Sequence, residues 1–124
     1  MNVVWRDLGV VGYASTWRAM QDFTTSRTES SADELWVLQH PPVFTQGRAG
    51  KNDHLIAPGD IPVINSDRGG QVTYHGPGQV VLYVLLDLKR INMGPRELVR
   101  RIECGVIRYL KVFDINGERI EGAP

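Results

Sequence analysis

The run from Gln79 to Leu88 constrains the fold of this chain more than any other segment. It is apolar at both odd and even positions, and a strand of that kind needs a packed layer on each of its faces. It is entered through Gly76-Pro77-Gly78, a sharp turn. It is therefore predicted to be a central strand, and the rest of the chain has to supply the layers around it.

Two segments have the helical period needed to do so. Tyr13, Trp17, Met20 and Phe23 recur at spacings of four, three and three. That predicts one apolar helix stripe, followed by a polar stretch ending near Ala32. Gly94-Pro95 opens a second helix, with proline in the first turn. Its predicted buried stripe is Leu98, Ile102, Val106, Tyr109, Leu110 and Phe113. Val3 to Leu8 and Leu35 to Gln39 read as strands, the second stopped by Pro41-Pro42. Val43 to Pro62, rich in Gly, Pro, Asn and Asp, is predicted to be a long loop. Pro62 to Asn65 is a further short strand, Asn116-Gly117 a turn, and Arg119 to Glu121 the start of another strand. Alternating strands and helices predict an α/β fold, a mixed β-sheet flanked by helices. Trp5, Trp17 and Trp36 are assigned to the core or to strand faces.

The 124 residues suit one domain, so residues 1–124 are expected to belong to a single domain. Formal net charge is zero, which gives no field to attract nucleic acid or a membrane surface. The N-terminus has no apolar signal core, and the longest apolar run, Val80 to Leu86, is too short for a bilayer. The single cysteine, Cys104, excludes an internal disulfide and fits a reducing compartment, so a cytoplasmic protein is expected.

Chemistry concentrates in Arg68-Gly69-Gly70-Gln71-Val72-Thr73-Tyr74-His75-Gly76-Pro77-Gly78-Gln79. Adjacent glycines let backbone N–H groups approach a ligand closely, and successive N–H groups form a concave site for an anion or oxyanion. Arg68 offers planar donors to a carboxylate, phosphate or polarised carbonyl. Thr73, Tyr74 and His75 add a hydroxyl, a phenol and an imidazole. A plain glycine-rich hairpin turn with an exposed arginine and a hydrogen-bonded histidine accounts for the same residue types. His40 stands at a strand end, facing the same site or simply satisfied there. His54 is a loop histidine. These histidines and Cys104 have no metal-ligand spacing, and no metal or cofactor is expected.

The run from Arg68 through Tyr83 resembles the signature of the octanoyl-carrier-protein:protein octanoyltransferases of protein lipoylation. Arg68, Gly69, Gly70, Thr73, Tyr74, His75, Gly76, Gly78, Gln79 and Tyr83 fill its positions. His40 to Gly47, Gly59 to Val63 and Arg96-Glu97-Leu98 also look like segments of that family, so the similarity covers essentially the whole chain. The resemblance implies the fold shared by lipoate and biotin ligases. It implies transfer of an octanoyl group from octanoyl-acyl carrier protein to a lysine of a lipoyl domain. The protein partners would be the lipoyl domains of 2-oxoacid dehydrogenase complexes and the glycine cleavage H protein. It also carries acyl-substrate binding to Arg68, Gly69, Gly70, Gln71, Val72, Thr73, Tyr74 and His75. The implied mechanism passes through a cysteine thioester that a lysine amine attacks.

The family's catalytic lysine and cysteine lie downstream of the part resembled by Arg119 to Pro124, so no catalytic residue is assigned within this chain. The expectation is an N-terminal portion of the catalytic domain, inactive and poorly folded when isolated because a sheet edge is left unpaired. Cys104 falls opposite the apolar stripe of its helix, among Glu97, Arg100, Arg108 and Lys111, and is expected to be a surface thiol. Lys51, Lys89 and Lys111 are expected to be surface lysines. Arg100-Arg101 is either a solvated helix face or a contact for an acidic carrier protein. Two other functions compete: a non-catalytic module that binds an acyl group or acyl carrier protein, and an adenylate-forming ligase. The ligase is disfavoured because no separate glycine-rich nucleotide loop is present.

Overall fold

The computed structural model describes residues 2–50 and 58–122. Lys51 and His54 lie outside the described residues. The chain forms two compact units, Met1–Leu86 and Asp87–Pro124.

The first unit holds seven elements: β1 (Val3–Val10), α1 (Tyr13–Ser26), β2 (Asp33–Gln39), β3 (Val43–Gln46), β4 (Val63–Asn65), β5 (Val72–His75) and β6 (Val81–Leu85). They build two mixed three-stranded sheets, ordered β1-β2-β6 and β4-β3-β5. In the first, β1 runs parallel to β2, with α1 between them in sequence, and β6 runs antiparallel to β2. In the second, β3 lies parallel to β4 and antiparallel to β5. The mixed-sheet α/β class read from the sequence is what the chain adopts.

Helix α1 follows Gly12, whose carbonyl accepts from the Thr16 amide at 3.2 Å, the Thr16 hydroxyl at 2.7 Å and the Ser15 hydroxyl at 3.0 Å. The predicted stripe faces inward: Tyr13 is buried, while Trp17, Met20 and Phe23 are half-buried. Phe23 meets Trp36 of β2 edge-on at 6.2 Å. The helix ends where Thr24, Thr25 and Ser26 turn their hydroxyls onto carbonyls one turn back, which competes with continued helix. Arg27 then pairs with the fully buried Asp33 at 2.6 Å.

Strand β2 is the centre of its sheet and alternates buried positions: Glu34, Trp36 and Leu38. Arg6 of β1 donates two bonds to the Glu34 carboxylate, at 2.6 and 2.7 Å, and Trp36 Nε1 donates a third at 2.6 Å. The Arg6 bonds first, then the Trp36 bond and the Arg6 charge, hold the Glu34 carboxyl below the usual range against the opposing effect of burial.

Two expectations are corrected in this unit. The Val43 to Pro62 segment begins with strand β3, whose Val43 and Thr45 are buried; the Pro41-Pro42 step resets the chain to extended backbone instead of ending order. The Gln79 to Leu88 run pairs over five residues only and stands at the margin of its sheet, with β2 in the centre. Val80, just before β6, and Leu82 are 69% and 48% exposed, and among the described strands none pairs with the far side of β6. Trp5, assigned to the core or a strand face, takes the second place: it lies on the marginal strand β1, 64% exposed.

The second unit is α2 (Pro95–Lys111) and the segment after it. Gly94-Pro95 opens it as predicted, and Glu97 in its first turn binds Arg100 and Arg101 at 2.7 and 2.9 Å. Those two bonds draw the Glu97 carboxyl down to about 2. The predicted buried stripe is corrected: Ile102, Val106, Tyr109 and Phe113 are 46%, 51%, 65% and 57% exposed. No strand forms at Arg119 to Glu121. Instead the chain returns along α2, with Gly117 so close to Ile107 and Leu110 that a Cβ would stand 3.2 Å from each side chain. Arg119 pairs with Glu103. Cys104 is half-buried, with the Arg100 guanidinium 4.0 Å from its sulfur. No helix among the described residues is long and apolar enough to cross a membrane.

Candidate functional site

Strand β5 has a side-chain period of two, so Thr73 and His75 share one face while Val72 and Tyr74 take the other. Tyr74 packs on Phe44, its partner in β3, with ring centroids 5.5 Å apart. Thr73 and His75 instead line a groove of about 520 Å³ with Arg68. That is within the usual range for small-molecule sites, about 300–1,000 Å³. Tyr13, Trp17 and Met20 of α1 form another wall, and Ser66, Asp67 and Tyr83 complete it.

The Arg68 side chain is a clamp. Its Nε and Nη2 donate to the Thr45 hydroxyl at 3.1 and 2.8 Å, and Nη2 also reaches the carbonyls of Thr45 and Gln71 at 2.6 and 2.7 Å. Nη1 reaches the Gly69 carbonyl at 2.8 Å. The carbonyls of Arg68, Gly70 and Gln71 accept from the amides of Arg48, Ala49 and Gly47 at 3.0, 3.1 and 3.3 Å. Every carbonyl of the turn thus has a donor, whereas the N–H groups of Gly69 and Gly70 meet no acceptor among the described residues. The approach is close enough to require glycine on the facing segment: a Cβ on Gly47 would lie 2.3 Å from the Gly70 carbonyl oxygen. Gly70 itself has φ of +83°, which glycine adopts without cost.

Behind the groove four rings cluster. His40 lies just past β2, is fully buried, and has its Nδ1 2.7 Å from the Val11 carbonyl oxygen. That carbonyl can only accept, so Nδ1 carries the proton. Nε2, 2.8 Å from the Tyr83 hydroxyl, therefore accepts. Burial keeps His40 below the usual imidazole range, with the His75 charge in the same direction and the Val11 bond opposing. Burial also pushes the Tyr83 phenol up to about 12, helped by Tyr13 and opposed by Arg68. Tyr13 meets His40 edge-on at 5.3 Å, lies parallel to His75 at 6.3 Å and donates to the Ser66 hydroxyl at 2.8 Å. His75 Nδ1 is 2.6 Å from Gln79 Oε1, and the Gln79 amide nitrogen donates to the Tyr74 carbonyl at 3.2 Å.

Of the eight residues singled out in the sequence, the structure brings Arg68, Thr73 and His75 to the groove lining. Gly69 and Gly70 are exposed on the adjoining turn, Gln71 contributes its carbonyl to the Arg68 clamp, and Val72 and Tyr74 point to the other face. His40 takes the satisfied role. Sequence reasoning missed the contribution of α1, whose stripe reads as core although Tyr13, Trp17 and Met20 also wall the groove. Asp67 was missed too; it sits beside Arg68 and accepts from Trp17 Nε1 at 3.1 Å.

Comparison with known proteins bears on the family and the fold. The profile of the lipoyl protein ligase A/B catalytic domain matches residues 12–123. An octanoyltransferase of Marinomonas sp. (strain MWYL1) is 56% identical over 124 residues, covering 100% of this chain and 58% of the relative. An octanoyltransferase of Xanthomonas euvesicatoria pv. vesicatoria (strain 85-10) is 58% identical over 119 residues, covering 96% of this chain and 51% of the relative. The chain thus spans about half the length of these relatives. A solved structure from T. acidophilum, described as a lipoate protein ligase, superposes with a TM-score of 0.71 at 15% identity, over 100% of this chain and 54% of that one. Its form with bound lipoic acid gives a TM-score of 0.68 at 18% identity. The chain belongs to the lipoyl protein ligase A/B catalytic domain family.

Proposed function

We propose that the protein of which these residues are part transfers an octanoyl group from octanoyl-acyl carrier protein to a lysine of lipoyl domains. Those domains are carried by the 2-oxoacid dehydrogenase complexes and the glycine cleavage H protein, and the setting is the cytoplasm. The Arg68–His75 segment supplies acyl-substrate binding, with Arg68, Gly69, Gly70, Thr73 and His75 toward the ligand and Gln71, Val72 and Tyr74 holding the segment in place from its other side. The observation that carries this reading is the polarity of the turn beside the groove: Arg68 holds its carbonyls inward, and the Gly69 and Gly70 N–H groups meet no acceptor among the described residues. Such donors suit the carbonyl oxygen of a thioester and steady the oxyanion formed when it is attacked, each worth about 3 kcal/mol in the transition state. In the proposed sequence a cysteine thiolate takes the acyl group and releases the carrier thiol. The lysine amine then attacks the enzyme thioester, an amide forms, and the thiolate is released. Neither cysteine nor lysine is assigned here; Cys104 belongs to α2, in the other compact unit.

Mass spectrometry of a lipoyl domain incubated with octanoyl-acyl carrier protein and the full-length protein, without ATP, tests the reading. Octanoylation of one lysine is expected, and Arg68→Ala should lower the rate at least about tenfold, because the clamp that orients two oxyanion donors is lost. Absence of labelling without ATP, or an unchanged rate in Arg68→Ala, contradicts it.

A further inference from the structure

The groove has a polar wall of tyrosine and histidine and, beside it, the polar Gly69–Gly70 turn, and the hydrogen-bond network fixes the polarity of each. The Val11 carbonyl fixes the His40 proton on Nδ1, so buried Nε2 can be satisfied only by a donor, and the donor is the Tyr83 hydroxyl. With its proton committed to His40, Tyr83 turns oxygen lone pairs, not a proton, toward any ligand in the groove it lines. The Gln79 amide is oriented by its bond to the Tyr74 carbonyl, which places Oε1 against His75 Nδ1. A neutral imidazole at this position holds its proton on Nδ1, against Oε1, and presents the Nε2 lone pair. Tyr13 donates to Ser66 and likewise keeps only lone pairs for the groove. The Tyr13, His40 and His75 rings lie within 5.3 to 6.3 Å of one another, and the Tyr83 ring is 5.8 Å from His40. Donors therefore stand at the Gly69–Gly70 turn and acceptors at the tyrosine–histidine wall.

A thioester carbonyl has only lone pairs and gains nothing from the tyrosine–histidine wall. A primary amine has the N–H bonds that wall lacks. We propose that His75 Nε2 and Tyr83 Oη form an acceptor site for a primary amine, and that His40 and Gln79 are positioning residues that set its polarity. An amine held there by its N–H groups has been oriented before it meets an acyl carbon, and orientation of that kind lowers the barrier to attack. The identification of this amine as a lysine of an acceptor protein rests on the function proposed above; the amine site itself does not.

Nitrogen-15 NMR of the histidine rings, with the protein titrated by n-butylamine, tests this without any transfer reaction. The free protein should show His40 and His75 as Nδ1–H tautomers. Butylamine should shift His75 Nε2 and the Tyr83 ring carbons, while tetramethylammonium, a cation with no N–H, should leave them in place. Tyr83→Phe should weaken butylamine binding about fivefold, as loss of one neutral hydrogen bond implies. If that variant misfolds, Gln79→Leu serves: it is an exposed position, and its loss should release His75 into a mixture of tautomers and weaken butylamine binding about twofold or more. Equal responses to the two cations, no response to butylamine, or an Nε2–H tautomer at His75 overturns the proposal. None of these results bears on octanoyl binding, so failure here and failure of the octanoyl reading are separable.

Discussion

At the scale of single residues, His40 carries the most structural consequence. It is fully buried, satisfied on both nitrogens and held below the ordinary imidazole range by burial. Below the unfolded value of 6.5 the unfolded chain binds this proton more readily than the folded one. Stability therefore rises with pH in that window, and it is lost as pH falls from about 6.5 toward the lower folded value. Urea unfolding between about pH 7 and 5 should show that decline, and His40→Phe should flatten it; an unchanged slope in the variant contradicts the assignment. Tyr83→Phe leaves Nε2 of His40 without a donor and should cost about 1–3 kcal/mol in the same measurement. Gly47→Ala places a methyl against the Gly70 carbonyl and should destabilise by about 1–3 kcal/mol, a strain that thermal unfolding would register. Arg68, Gly70 and His75 were legible in the sequence because residue type and spacing announce them. The bonds that fix Arg68, to the Thr45 hydroxyl and to the carbonyls of Thr45 and Gln71, were not, since backbone carbonyls and a hydroxyl on a neighbouring strand leave no local pattern.

At the scale of elements, both helices were legible from period and from Gly94-Pro95, and so was β2. What the sequence did not reveal was which strand is central. Apolar runs in β2 and β6 look alike, but β2 is paired on both sides and β6 on one. Strand β3 was read as loop because four residues between two prolines and a glycine-rich stretch offer too short a run to show alternation. The stripe of α2 is genuine as a pattern, yet its residues stay exposed, so periodicity predicted a face without predicting its cover. This difference has a measurable form. Leu38→Ala, at a position 2% exposed in the central strand, should cost about 2–5 kcal/mol. Val106→Ala, at 51% exposure on α2, should change stability by no more than about 0.5 kcal/mol. Comparable losses at the two positions would show that α2 is covered in solution.

At the scale of the whole molecule, the groove and its polar turn belong entirely to the unit Met1–Leu86, assembled from α1, the Ser66–Arg68 turn, β5 and β6. The family of the chain was legible from the Arg68 to Tyr83 signature, while the opposite hydrogen-bond polarities of the wall and the turn were not, because they depend on contacts between residues such as His40 and Tyr83, 43 positions apart. The central claim is that this unit receives the octanoyl group at the Arg68–His75 segment. It is tested most directly by titrating the labelled chain with octanoyl-acyl carrier protein and with the unacylated carrier, following backbone amides by NMR. Saturable shifts are expected at Gly69, Gly70, Thr73 and His75 with the octanoyl form only. The same shifts from both carriers, or octanoyl-dependent shifts confined to residues away from the groove, would contradict it.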